Sequence, residues 1–173
     1  MKKTALIFGL LSILFCHTSW AKTFVYCSEG SPSAFNPQIT TDGTSNNASA
    51  HTIYNRLIEF KYGSTELEPG LAKSWDVSKD GKEIILNLRN DVSFHKTKYF
   101  TPSRNFNADD VLFSFNRQLN KKHPYHQVNG GSYQYWESMA MSDIIKSIEK
   151  IDDFKVKITL SKPDAPFLSN MAM

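Results

Sequence analysis

The chain has 173 residues, with 20 Lys and Arg against 17 Asp and Glu, a formal charge of +3 and 40% hydrophobic residues. Basic positions such as Lys121-Lys122 are matched by acids elsewhere rather than gathered with aromatics into one stripe, so nucleic acid is not an expected partner. There is no repeat, low-complexity tract or polar linker, and the length suits a single core.

Lys2-Lys3 followed by the apolar run "TALIFGLLSILFC" reads as a secretory signal, too short to span a bilayer, with small residues at Ser19 and Ala21 placing cleavage after Ala21. Cys16 is preceded by Phe15, which argues against a lipoprotein signal. Removing residues 1–21 takes away Lys2 and Lys3 and no acid, which lowers the formal charge from +3 to +1. It also leaves Cys27 as an odd cysteine in an oxidising compartment, either a buried thiol or one half of a disulfide.

The mature chain opens with the β-branched and aromatic run Thr23 to Cys27, predicted as one buried strand, and continues through a loop rich in Gly, Ser and Asn. Ile53, Leu57 and Phe60 recur at helical spacing, and with Asn47 as a cap they predict an amphipathic helix over residues 48–59. Asp80-Gly81, set between alternating runs around Trp75 and Val77 and around Ile84, Leu86 and Leu88, predicts a β-hairpin. Asn107 caps a helix with Asp109 and Asp110 in its first turn and Ala108, Val111, Leu112, Phe115 and Leu119 on one face. A Gly-, His- and aromatic-containing loop follows, with Tyr133, Tyr135 and Trp136 equally suited to lining a ligand cleft or packing beneath the loop. Ile144, Ile145 and Ile148 predict a short helix or strand, and Val156, Ile158 and Leu160 a strand after a turn at Asp152-Asp153. Phe167 then starts a further apolar segment.

Enzyme signatures are scarce. The sequence holds no phosphate loop, paired-cysteine zinc spacing or nucleophile elbow, and Pro124 separates His123 from His126, which keeps them off one helical face. A small metal-dependent hydrolase using His123, His126 and Asp109 is the competing class; ordinary surface histidines account for the same residues, and no metal ligands are assigned.

"LEPGLAKSWDVSKDGKEIILNLRNDVSFH" (Leu67 to His95), "FNADDVLFSFNRQ" (Phe106 to Gln118) and "KPDAPFL" (Lys162 to Leu168) occur in an order that resembles the family 5 extracellular solute-binding proteins, periplasmic receptors of peptide, nickel and related ABC importers. "KTFVYCSEGSPSAFNPQ", "YNRLIEF" and "NGGSYQYW" are most similar to the dipeptide-binding members and their haem-binding relatives, and "FHKTKYFTPSR" to the antimicrobial-peptide-uptake members.

The resemblance implies a mixed α/β architecture: the first lobe of a type II periplasmic-binding-protein clamshell, incomplete, because it covers roughly the first third of a family member. It implies that the second lobe and the disulfide partner of Cys27 lie beyond Met173, and that Phe167 begins a helix which continues there. A non-functional gene remnant is the alternative this leaves open. The resemblance also implies a non-enzymatic, monomeric receptor without a cofactor, which takes a short peptide, or haem as ligand, to an inner-membrane ABC permease. It carries over Thr41, Asp42, Gly43 and Tyr133 as ligand-facing positions, with Asp42 standing where the dipeptide-binding members resemble a serine.

Overall fold

The computed structural model describes residues 23 and 25–173, so the signal segment 1–21 lies outside the described residues. The centre of the structure is an antiparallel sheet in the order β3-β4-β6-β5, built from β3 (Ala72–Val77), β4 (Glu83–Leu88), β5 (Ile145–Asp152) and β6 (Lys155–Leu160). The period-two pattern puts Ile84, Leu86 and Leu88 of β4 and Val156, Ile158 and Leu160 of β6 on one buried face.

The β3–β4 hairpin forms where Asp80-Gly81 places it. Ser78 N–H donates to the Glu83 carbonyl (2.9 Å), Asp80 accepts from the Ser78 hydroxyl (2.6 Å), and Gly81 sits at φ 68°, a left-handed conformation that favours glycine. Across the sheet, β5 and β6 turn at Asp153-Phe154, one residue later than the Asp152-Asp153 turn expected from sequence, because Asp152 still pairs with Lys155.

Helix α2 (Ala108–Leu119) packs on β5 and β6. The Asn107 side chain accepts from Asp109 N–H, and the Asp110 carboxylate accepts from Asn107 N–H, a reciprocal cap that fixes the helix start. Ala108 N–H donates to the Asp153 carbonyl (2.9 Å), and Lys150 bridges Asp109 (3.0 Å) and Asp153 (2.8 Å), so the start of the helix is tied to the β5–β6 turn. The two aspartates of the first turn therefore serve helix-start chemistry.

The helix predicted over residues 48–59 is displaced. Helix α1 runs earlier, over Gly43–Ala48, because the Asp42 carboxylate caps it by accepting from Ser45 N–H (2.8 Å); Asn47 lies inside the helix. Its end is also set by side chains. The Ser49 hydroxyl donates back to the Ser45 carbonyl (2.6 Å), and the Ser49 carbonyl collects the amides of Thr52, Ile53 and Tyr54. Ile53 is left 52% exposed, while Ile58 enters strand β1 (Ile58–Phe60), which pairs with β2 (Leu67–Pro69).

The second correction is the N-terminal strand. Thr23, Val25, Tyr26 and Cys27 form no strand, since among the described residues no other strand pairs with them; Val25 is 76% exposed, and Cys27 is an exposed free thiol rather than a buried one. Short helices α3 (Gln134–Ser138), α4 (Met141–Ile144) and α5 (Phe167–Asn170) complete the fold; α4 hands directly to β5, so the isoleucines at 144, 145 and 148 serve both a helix and a strand. No helix among the described residues is long and apolar enough to cross a membrane.

Candidate ligand-binding face

The loop leading into α1 is locked by Asp42. Its carboxylate accepts from the Ser33 hydroxyl (2.6 Å), the Thr44 hydroxyl (2.7 Å) and Ser45 N–H, while the Ser45 hydroxyl accepts from Ser33 N–H (2.9 Å). The Ser33 hydroxyl beside Asp42, with Thr44 and Ser45 adding to it, holds the carboxyl well below its usual range. Asp42 is thus occupied as a helix cap and loop anchor, which leaves it little acceptor capacity for a ligand. Gly43 is exposed, and a Cβ there would meet nothing within 4 Å, so no steric requirement demands glycine.

Thr41, next to this anchor, is held at the surface. Its hydroxyl donates to Gln134 Oε1 (3.0 Å), and the Tyr135 hydroxyl donates to the Thr41 carbonyl (3.5 Å). Two segments more than ninety positions apart in sequence meet here, one from the α1 loop and one from the start of α3. Gln134 is a member of this face that the sequence reading did not single out.

Tyr133, one residue earlier, is 1% exposed and belongs to the core cluster. Its hydroxyl accepts from Arg117 Nε (3.1 Å) and donates to the His126 carbonyl (2.9 Å). The expectation that Tyr133 faces a ligand is therefore corrected: the aromatic side chain that reaches the surface is Tyr135, because α3 starts at Gln134 and rotates Tyr133 inward.

Arg117 is the hub of this region. Besides Tyr133 it donates to the Tyr125 carbonyl (3.2 Å) and to Gln38 Oε1 (3.3 Å), and its Nη2 is buried without a partner. No carboxylate pairs with it among the described residues. Sequence offered no signal for this role, since Arg117 lies off the apolar stripe of α2 and reads as solvent-facing until the 121–133 loop folds over it.

The histidines are not brought together into a metal site. His126 is buried with Nδ1 donating to the Arg117 carbonyl (2.7 Å), His123 Nδ1 accepts from Tyr125 N–H (3.3 Å) in an aromatic cluster with Phe113 and Tyr125, and Asp109 is paired with Lys150. No group of three or more His, Cys, Asp or Glu side chains among the described residues is placed to hold a metal.

Beside Tyr135 an open cavity of about 230 Å³ is lined by Phe115, Trp136, Met139, Met141, Met171 and Met173 among others, none of them charged. Every methionine after Met1 contributes to this lining. Phe115 and Trp136 meet edge to face with centroids 5.8 Å apart, and Trp136 Nε1 donates to the Ser142 hydroxyl (2.8 Å).

Residues 66–173 match the family model described as bacterial extracellular solute-binding proteins, family 5 middle. The chain is 49% identical over 176 residues to the dipeptide-binding protein of Escherichia coli (strain K12), covering 100% of this chain and 33% of that relative. It is 53% identical over 151 residues to heme-binding protein A of Haemophilus influenzae, covering 87% of this chain and 28% of the relative. A crystal structure of the dipeptide binding protein from Pseudoalteromonas sp. SM9913 in complex with Met-Leu superposes with a TM-score of 0.82 at 42% identity, over 85% of this chain and 29% of that one. The chain spans about a third of the length of the curated relatives it matches.

Proposed function

Because the chain belongs to the family 5 bacterial extracellular solute-binding proteins, we propose that it forms part of the first lobe of a periplasmic receptor that delivers short peptides to an inner-membrane ABC permease. The signal directs export and is then cleaved after Ala21. The receptor binds and releases its ligand without chemistry.

The observation that carries this reading is the Thr41–Gln134–Tyr135 junction, an exposed pairing of hydroxyl, amide and phenol groups from two segments. Such groups exchange hydrogen bonds with a peptide backbone whatever its side chains, which suits a receptor for a class of peptides. The uncharged cavity beside it suits apolar side chains, and its methionines adapt to differing shapes. Asp42 acts through the loop it anchors rather than by ligand contact, and Tyr133 by fixing the start of α3.

The second reading is haem capture, favoured by the 53% identity to heme-binding protein A. In the observed arrangement neither described histidine of the 121–133 loop offers an accessible lone pair. His123 Nδ1 accepts from Tyr125 N–H, which puts the ring proton on Nε2, and His126 is buried.

A chimera tests both readings: this chain from Lys22 replaces the matching part of the Escherichia coli dipeptide-binding protein. Calorimetry with Met-Leu is expected to show binding that weakens about tenfold when Thr41 and Gln134 are both changed to Ala, the scale of two lost neutral hydrogen bonds. Hemin binding with a Soret shift and no peptide binding favours the second reading. A folded chimera that binds neither removes both.

A further inference from the structure

The stretch "FHKTKYF" takes no part in the face described above. It is the outer part of an ordered excursion between β4 and α2, closed at its neck by Phe106 N–H donating to the Val92 carbonyl (3.0 Å) and by the Ser93 hydroxyl donating to Asn105 Oδ1 (3.1 Å). Its tip is shaped by Thr97. The Thr97 hydroxyl oxygen accepts from Tyr99 N–H (3.2 Å) and Phe100 N–H (3.0 Å), and Thr97 N–H donates to the Phe100 carbonyl (2.9 Å).

This bonded tip nevertheless turns its aromatics outward. Tyr99 is 84% exposed, Phe100 57%, and Phe94 is also exposed. Lys96 and Lys98 alternate with them, and from Ser93 to Ser103 there is no Asp or Glu. Neither lysine forms an ion pair among the described residues, whereas Arg104 at the neck is neutralised by Asp110 (2.7 Å). Lys98 Nζ lies 4.7 Å from the Tyr99 ring centre, so cation and ring present one surface.

We infer that the loop tip Phe94–Phe100 is a docking surface for an anionic phospholipid membrane. Amphipathic Tyr and Phe side chains flanked by unpaired lysines match the headgroup level of a bilayer, where aromatic rings sit at the interface and cations meet lipid phosphate. Two lysines and three rings are far less than a lipid anchor supplies, so the contact is weak and reversible. The inference does not depend on which ligand is carried.

The test is co-sedimentation of the chain, recovered from the periplasm, with vesicles of phosphatidylethanolamine and phosphatidylglycerol, against vesicles of phosphatidylcholine alone. The expected result is pelleting on the anionic vesicles that falls several-fold in K96E/K98E and in Y99S/F100S and weakens as salt is raised. Tyr62→Ser, which removes an even more exposed ring elsewhere, is expected to change nothing. Thermal unfolding of each variant shows that the fold is kept. Absence of pelleting on anionic vesicles, equal pelleting on phosphatidylcholine, or pelleting indifferent to the loop substitutions overturns the inference; the first of these arms would leave an acidic protein partner as the occupant.

Discussion

Tyr133→Phe isolates the junction that carries α3. The substitution keeps the buried ring and removes only the hydroxyl, which accepts from the Arg117 guanidinium at 3.1 Å and donates to the His126 carbonyl at 2.9 Å. A hydrogen bond to a charged group contributes about 1.5–3 kcal/mol and a neutral one about 0.5–1.5 kcal/mol, so the loss amounts to about 2–4.5 kcal/mol. Arg117 Nε retains the Tyr125 carbonyl at 3.2 Å, which favours the lower part of that range. Against a total stability of about 5–15 kcal/mol the effect is large. In urea unfolding, with m near 2 kcal/mol per molar, the midpoint should fall by about 1–2 M at unchanged slope. Tyr125→Phe is the control, because Tyr125 is exposed and its hydroxyl makes no hydrogen bond among the described residues; it should stay within about 0.5 kcal/mol. A Tyr133→Phe shift below about 0.3 M would mean that the Arg117 hub does not hold the loop, and the positioning role given to Tyr133 would fall with it.

Gly70→Ala should destabilise by about 1–3 kcal/mol in the same assay, since its Cβ would sit 2.4 Å from the Arg56 carbonyl oxygen, where Leu71 N–H closes on that oxygen at 2.8 Å; an unchanged midpoint would show that the backbone gives way freely. Asn107→Ala removes the acceptor for Asp109 N–H and should cost about 1 kcal/mol, seen as faster amide exchange in the first turn of α2. For acid stability two carboxylates matter. The Ser33 hydroxyl, with Thr44 and Ser45, holds Asp42 below its ordinary 3.8; burial pushes Asp110 up, but Arg104 and the Asn107 amide outweigh it and leave it below 3.8 as well. Both are depressed in the fold, so the unfolded chain binds more protons in this window. Their stabilisation is complete above the ordinary value and is lost as pH falls through the lower folded values. Carboxyl carbon NMR should place the Asp42 midpoint below 3.8, and a midpoint at or above it would contradict the anchoring role.

What the sequence makes legible is what local chemistry decides. Asp80-Gly81 between alternating runs and Asn107 with Asp110 three places on act within a few residues, and both features form where they are read. The stretch 48–59 misleads because its helical spacing competes with two influences outside that pattern: the Ser49 hydroxyl that turns back onto the Ser45 carbonyl at the end of α1, and the pairing of Ile58–Phe60 with Leu67–Pro69. The strand expected at residues 23–27 needs a neighbour, and the described residues supply none. At the candidate face, resemblance points to Thr41 but says nothing of Gln134, because their contact spans a separation that no periodicity encodes. Tyr133 is misassigned by one residue's rotation at the start of α3, and Arg117 turns inward only because a loop closes over it.

The most direct test of the ligand face is an amide NMR titration of this chain with Met-Leu carried into the millimolar range. The shifts should centre on Thr41, Gln134 and Tyr135, and fade when Thr41 and Gln134 are changed to Ala. Shifts centred elsewhere, or the absence of any response in a folded sample, would contradict the placement of the peptide site on this face.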